Sequence, residues 1–244
     1  MRQMKPSIAD SLLMDVSNSF TKIAFASTRR LTSIRRFPTG KLSAERLRQI
    51  LQEREVKIIV VASVVPAKDR EIKVAASGRG KLIWLSAKTK LNVRIDYPNP
   101  KSIGADRLAN AVAVAELYGT PAVVIDFGTA VTFDIVSTKA TYIGGVIAPG
   151  LEAMTTFLYH RTALLPRISL REPCSAIGKT TRGAMLAGAV FGYRGLVREI
   201  LRQVIAEQFP RKRVRVVATG GYAGLIARNL PEVEAVHENL TLEG

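Results

Sequence analysis

The feature that most restricts the fold of this 244-residue chain is a strand–aspartate–turn–strand unit that occurs twice. The first copy, LLMDVSNSFTKIAFAS (residues 12–27), opens with Leu12, Leu13 and Met14 and reaches Asp15. It turns through Ser17-Asn18-Ser19 and returns with Thr21, Ile23 and Phe25 alternating. Ser and Asn favour turns because their side chains bond nearby backbone, and alternation at period two marks a half-buried strand. The second copy, AVVIDFGTAVTFDIVS (122–137), runs from Val123–Ile125 through Asp126 and Gly128-Thr129 into a return strand, Thr132 to Val136. The two aspartates lie 111 residues apart, and aligning them puts Ser17 on Gly128, Asn18 on Thr129 and Thr21 on Thr132. A second pair follows in order: KIIVVASVV (57–65) and RVRVVATGG (213–221) are both buried-strand patterns. Each comes after an amphipathic helix, Ser43 to Arg54 in one half and Leu186 to Phe209 in the other. Alternating strands and helices predict an α/β protein. The ordered repeats predict a duplicated one, with subdomains over 1–118 and 119–244 joined near Gly119-Thr120-Pro121 and ligand space between them.

Composition removes several classes. Apolar residues make up 47% of the chain and charged residues 23%, which suits a buried core and argues against disorder. No apolar run approaches the roughly 18–20 residues that span a bilayer. The start, MRQMKPSIADSLLMDVS, breaks its short apolar stretch at Asp15, against a secretory signal. Cys174 is the single cysteine, so internal disulfides and cysteine zinc sites are excluded and a cytoplasmic location is expected. Lys+Arg number 36 against 20 Asp+Glu, a net charge of +16, of which residues 1–118 hold +12 and 119–244 hold +4. Such an excess suits nucleic acid, an acidic surface or small anionic substrates. The cations are scattered, with no long block and no interleaved aromatics, which favours a solvated basic surface over nucleic acid.

A duplicated hairpin of this kind has a chemical use. Backbone N–H groups of a tight turn face one point and make a concave anion site, while a carboxylate at the strand end can hold a cation. Two such turns would grip a polyphosphate and its metal. This plan resembles the acetate kinase/sugar kinase/Hsp70/actin superfamily, which implies two duplicated RNase H-like (actin-like ATPase) subdomains with a central cleft. Between the halves, YPNPKSIGADRLANAVAVAELYG (97–119) contains a strong helix over Ala105–Tyr118, rich in Ala and Leu and closed by Gly119. Asp106 and Arg107 sit in its first turn, where the helix dipole favours a carboxylate. That carboxylate can orient a substrate hydroxyl for attack, and Arg107 can bind a substrate carboxylate or phosphate. The alternative is an acidic residue that only stabilises its own helix, by roughly 0.3–1 kcal/mol.

Taken together, the motifs resemble the type III pantothenate kinases over nearly the whole chain. The carriers are Tyr97 with Asn99-Pro100, Gly104-Ala105-Asp106-Arg107, Asp126-Phe127-Gly128-Thr129-Ala130, Gly144 to Gly150, Gly178-Lys179-Thr180-Thr181, Thr219-Gly220-Gly221 and the closing Leu240 to Gly244. The resemblance implies ATP-dependent phosphorylation of pantothenate to 4′-phosphopantothenate, the first step of coenzyme A synthesis. It implies a cytoplasmic homodimer with the pantothenate pocket at the subunit interface, requiring Mg²⁺ and a monovalent cation, K⁺ or NH₄⁺. By the same resemblance Asp106 is the catalytic base, and Tyr97, Gly104, Ala105, Asp106, Arg107 and Thr181 contact pantothenate. Asp126 holds the monovalent cation, and Thr129 contacts ATP. Asp15, Val16, Ser17, Asn18, Ser19, Phe20, Thr21 and Lys22 form the ATP phosphate loop, with Asp15 near Mg²⁺.

Some residues admit a plainer reading. Gly128 and Gly220-Gly221 lack Cβ and allow close backbone approach to a nucleotide, whereas Gly144-Gly145 and Gly150 serve equally as turn residues framing a strand. Thr181 is either a substrate contact or a helix N-cap. Gly178-Lys179-Thr180 is no P-loop, because Pro173 occupies the leading glycine position and no strand precedes it. His160 and His237 lack partners at metal-ligand spacing, and Cys174 lacks a nearby His. The family's first loop reads Asp-x-Gly-Asn-Thr; here Ser17 and Ser19 replace the Gly and Thr, and Phe20 follows as a candidate buried strand residue. With the +16 charge, that departure motivates an alternative: a non-catalytic relative acting as a transcriptional accessory factor.

Overall fold

The computed structural model describes residues 9–27 and 30–244. The chain packs as two compact units. The first comprises the chain through Leu91 with Pro98–Asn110 and Thr241–Gly244; the second comprises Asn92–Tyr97 and Ala111–Leu240.

In the first unit the order is β1 (Ala9–Val16), β2 (Phe20–Ser27), β3 (Arg30–Pro38), α1 (Ala44–Gln52), β4 (Val56–Ser63), α2 (Asp69–Ala76) and β5 (Lys81–Trp84). These strands form one sheet in the order β3-β2-β1-β4-β5. Short turns make β1–β2–β3 antiparallel, while β1–β4 and β4–β5 are parallel because helical crossovers intervene. One face buries Leu12, Met14, Val16, Ile23, Phe25, Ile59 and Val61 against Leu47, Ile50 and Leu51 of α1 and Ile72 of α2. The three α1 residues fall at i, i+3 and i+4, the spacing that puts them on one stripe. Ser43 caps this helix by accepting from the Arg46 N–H at 3.2 Å, which satisfies a donor the helix leaves open.

The chain continues through β6 (Arg94–Ile95) and α3 (Ala105–Leu117), which begins in the first unit and ends in the second. Gly119, at φ +84°, stops it. Then come β7 (Ala122–Phe127), β8 (Ala130–Val136), β9 (Thr141–Pro149), α4 (Leu151–Arg161), α5 (Thr181–Gln208), β10 (Arg215–Thr219), α6 (Ala223–Ile226), β11 (Ala235–Val236) and α7 (Leu240–Glu243). The second sheet has the order β11-β10-β7-β8-β9-β6. Its core joins Val123, Ile125, Phe127 and Phe133 to Val190, Tyr193 and Val197 of α5. Apart from the added β6, strands β9-β8-β7-β10-β11 repeat the order and directions of β3-β2-β1-β4-β5. The duplication read from sequence is therefore a duplication of topology.

Three details differ from the sequence reading. Asp15 faces Lys22 across the first hairpin, and Asp126 faces Thr132 across the second. The first turn spans three residues (17–19) and the second two (128–129), so Lys22, not Thr21, is the counterpart of Thr132. Gly144 and Gly145 lie inside β9 instead of framing it, Gly144 at φ +133° where the β8–β9 register shifts. Helix α5 starts at Thr181, five residues before the predicted Leu186, because Thr180 caps it by accepting from the Gly183 N–H at 3.0 Å.

Candidate active site

Within the first unit, the candidate residues meet at the C-terminal ends of the parallel pair β1 and β4. Asp15, buried, is the penultimate residue of β1 and accepts a 2.8 Å hydrogen bond from the Ser17 hydroxyl. Asn18 and Ser19 are exposed at the tip of the turn. Ser17 is not among the positive-φ residues, so the Cβ added where the family has glycine is carried without left-handed backbone. Thr39, which the sequence reading missed, braces the turn from below. Its hydroxyl donates to the Ser17 carbonyl at 2.6 Å, and its N–H donates to the Ser19 carbonyl at 3.0 Å. With that proton committed, the buried Thr21 hydroxyl is the donor in its 3.0 Å contact with Thr39 Oγ1. Phe20 is not a buried strand residue: it is 37% exposed, and the Arg36 guanidinium lies 3.5 Å above its ring.

The start of α3 belongs to the same strand ends. The Val64 N–H, just past β4, donates to the Val16 carbonyl at 3.1 Å, and Val64 packs beside Gly104. A Cβ on Gly104 would sit 2.5 Å from Asp106 Oδ1 and 3.3 Å from Val64 Cγ1. Glycine is thus what lets the Asp106 carboxylate fold back over the helix start, where Oδ1 accepts from the Arg107 N–H at 2.8 Å. Burial raises the Asp106 pKa above the ordinary carboxylate value; backbone N–H bonds and the Arg107 charge oppose that shift without cancelling it. The helix dipole alone favours the ionised form, and desolvation outweighs it. The closing segment locks this helix: buried Thr241 donates to Asn110 Oδ1 at 2.9 Å, and a Cβ on Gly244 would lie 1.8 Å from the Ala109 carbonyl oxygen.

In the second unit, Asp126 occupies the position of Asp15. Its β10 partner in register is Thr219, buried with a hydroxyl that makes no hydrogen bond among the described residues. Gly220 follows at φ +92°, and a Cβ there would fall 2.5 Å from Asp126 Oδ1. An acid beside an unsatisfied neutral oxygen, with backbone stripped of side chain, fits a hard cation that takes oxygen ligands. Among the described residues no three His, Cys, Asp or Glu converge, so a cation here would draw on neutral oxygens as well as the Asp126 carboxylate. Thr129 is exposed at the turn, and Gly150 packs on it, its N–H donating to the Thr129 carbonyl at 3.2 Å. A Cβ on Gly150 would meet that oxygen at 2.3 Å, which requires glycine.

Tyr97 lies against Tyr142, ring centroids 6.2 Å apart, and its Cε2 is 3.8 Å from where a Gly144 Cβ would stand. Thr181 is the exposed first residue of α5; the cap is Thr180, so the N-cap alternative for Thr181 falls away. Gly178 packs on the first turn of α5 and no strand precedes it, as the rejection of a P-loop required. His237 Nδ1 and the Tyr118 hydroxyl are 2.9 Å apart, and Cys174 is exposed.

The family profile described as type III pantothenate kinase matches residues 11–203. A type III pantothenate kinase of Akkermansia muciniphila is 48% identical over 96% of this chain and 95% of its own length. One of Methylacidiphilum infernorum is 43% identical over 96% of this chain and 85% of its own. Among solved structures, a Campylobacter jejuni protein ascribed to the Baf family of transcriptional activators superposes with TM-score 0.61 at 20% identity, covering 94% of this chain and 92% of that one. The activator of 2-hydroxyisocaproyl-CoA dehydratase from Clostridium difficile, with bound ADPNP, gives 0.51 at 10% identity over 96% and 91%. At such identities the structural likenesses speak for the fold, an actin-like ATPase fold, and for nothing finer.

Proposed function

This chain belongs to the type III pantothenate kinases, enzymes that phosphorylate pantothenate with ATP in coenzyme A biosynthesis, and from that premise we propose how its residues divide the work. Asp106 is the base, and the Asp15–Lys22 turn receives the nucleotide's phosphates. The observation that carries this division is that both lie at one set of strand ends in the first unit, linked through Val16, Val64 and Gly104.

The Asp106 carboxylate accepts a hydrogen bond from the 4′-hydroxyl of pantothenate and fixes its oxygen. That oxygen forms a bond to the γ-phosphorus as the bond from phosphorus to the β,γ-bridging oxygen breaks. ADP leaves with the bond's electron pair, and the hydroxyl proton passes to Asp106. In a loose transition state this positioning matters more than basicity, and a carboxylate pKa raised by burial also improves proton acceptance. Arg107, beside it, suits the pantothenate carboxylate. Tyr97, Ala105 and Thr181 are assigned to the same substrate, and Thr129 to ATP.

Mg²⁺ at Asp15 and K⁺ or NH₄⁺ at Asp126 would neutralise charge on the phosphates. The unsatisfied Thr219 hydroxyl facing Asp126 supports the second assignment. A homodimer is part of the proposal. It is supported by α4, which exposes Met154, Phe157 and Leu158 at i, i+3 and i+4, and by Leu164 and Ile177, exposed by 88% and 79%. Among the described residues no helix is long and apolar enough to cross a membrane; a cytoplasmic location is proposed, and an exposed lone thiol suits a reducing compartment.

The test is direct. Purified protein with pantothenate, ATP, Mg²⁺ and K⁺ or NH₄⁺ yields 4′-phosphopantothenate, identified by mass, and turnover falls sharply when Na⁺ replaces the monovalent ion. Equal rates with Na⁺ would remove the Asp126 assignment.

A further inference from the structure

We infer that Arg36, held on the face of Phe20, is a phosphate-binding residue for the nucleotide's tail, with Phe20 as its positioning residue. This rests on the reading of the β1–β2 turn as the nucleotide site and adds a third strand to it.

Asp15 pairs with Lys22, and Lys22 pairs with Arg36, so one row of side chains crosses β1, β2 and β3 on a single face of the sheet. That face is opposite the one on which Leu12, Met14, Val16 and Phe37 are buried. Lys22 and Arg36 are therefore two cations set opposite each other on neighbouring strands, on the face that also carries Asp15. The neighbouring Arg35 pairs with Glu53, its NH1 donating to Oε1 at 2.7 Å. The Arg36 guanidinium instead lies 3.5 Å above the Phe20 ring and has no acidic partner among the described residues. A guanidinium held over an aromatic face is restricted in its motion while its N–H donors stay available, which suits paired bonds to phosphate oxygens.

The turn and Arg36 are held together. Phe20 pairs with Pro38, and Thr39 bonds the Ser17 and Ser19 carbonyls, so the end of β3 is fastened to the turn tip. Meanwhile the Ser17 hydroxyl is engaged by Asp15. A turn with that donor committed gains a replacement from the strand alongside. The aromatic at position 20, out of place as a phosphate ligand, has a function as the platform for Arg36.

Calorimetric titration of the whole protein with ATP, ADP and AMP tests this. Arg36→Gln is expected to weaken ATP by about tenfold, ADP by less, and AMP by under twofold. Arg36→Lys, which keeps the charge and loses the fork, falls between. Phe20→Leu gives the same phosphate-dependent pattern, and Phe20→Tyr binds like the wild type. Arg48→Gln, the loss of an exposed cation on α1, leaves all three affinities unchanged. An Arg36→Gln protein with wild-type ATP affinity, or one that loses AMP as much as ATP, overturns the inference while leaving the kinase reading intact. Wild-type protein that holds ATP no better than AMP removes the turn as the phosphate site, and the inference with it.

Discussion

At the residue scale the account turns on Asp106 and the missing Cβ of Gly104. Because burial raises the Asp106 pKa, the folded protein binds this proton more tightly than the unfolded chain does. Stability contributed by the group is then present below the unfolded pKa, falls as pH rises through the folded pKa, and is a penalty at neutral pH. Asp106→Asn should accordingly be as stable as the wild type or more so at pH 7, and less dependent on pH just above the ordinary carboxylate range, as urea denaturation will measure. The rate has the opposite sign: kcat/KM falls as pH drops through the raised pKa, because the base becomes protonated. Gly104→Ala should leave the melting temperature nearly unchanged, since the atom in its way is the end of a side chain. It should lower kcat by roughly 10- to 100-fold by displacing the carboxylate, with little effect on ATP affinity. A kcat within twofold of wild type would show that Oδ1 is not held by that glycine.

At the element scale, the hairpins, α1, α3, β4 and β10 were legible because each carries its own periodicity and stop signal. What was not legible depended on partners distant in sequence. The one-residue difference between the two turns appears only once Asp15 is seen opposite Lys22 and Asp126 opposite Thr132. Thr39 gives no local signal; its importance comes from carbonyls 20 and 22 residues away. The site was legible as a set of residues through the family resemblance, but the raised Asp106 pKa was not, because desolvation is a property of the packed unit. Arg194 of α5 is a further case. It is buried, donates to both Glu172 oxygens at 2.8 and 2.6 Å, and donates to the Leu225 and Ile226 carbonyls at the end of α6. Arg194→Ala should cost about 1–3 kcal/mol in urea, since the Leu225 and Ile226 carbonyls lose their donor, while the half-exposed Glu172 carboxylate is rehydrated. The Arg194 hydrogen bonds hold the Glu172 pKa below the usual carboxylate value. That part of the stability is present above the unfolded pKa and is lost as pH falls through the folded one. A loss under 1 kcal/mol at pH 7 would contradict the assignment.

At the scale of the whole molecule, the doubled sheet order is the fact from which the rest follows, and we propose that the halves 1–118 and 119–244 descend from one unit. Each half supplies an aspartate at the end of its first strand and a turn beyond it. The second unit also carries the exposed apolar face of α4, and Phe157→Glu should shift the protein from dimer to monomer in sedimentation velocity with a parallel loss of activity. A wild-type protein that sediments as a monomer at micromolar concentration would end that part of the account. The most direct test of the central claim, that Asp106 aims and deprotonates the substrate alcohol, is the steady-state rate of Asp106→Asn at saturating ATP and pantothenate. The account predicts a kcat lowered by about 10²–10⁴-fold in a protein with native circular dichroism and unchanged ATP affinity; turnover at the wild-type rate would contradict it.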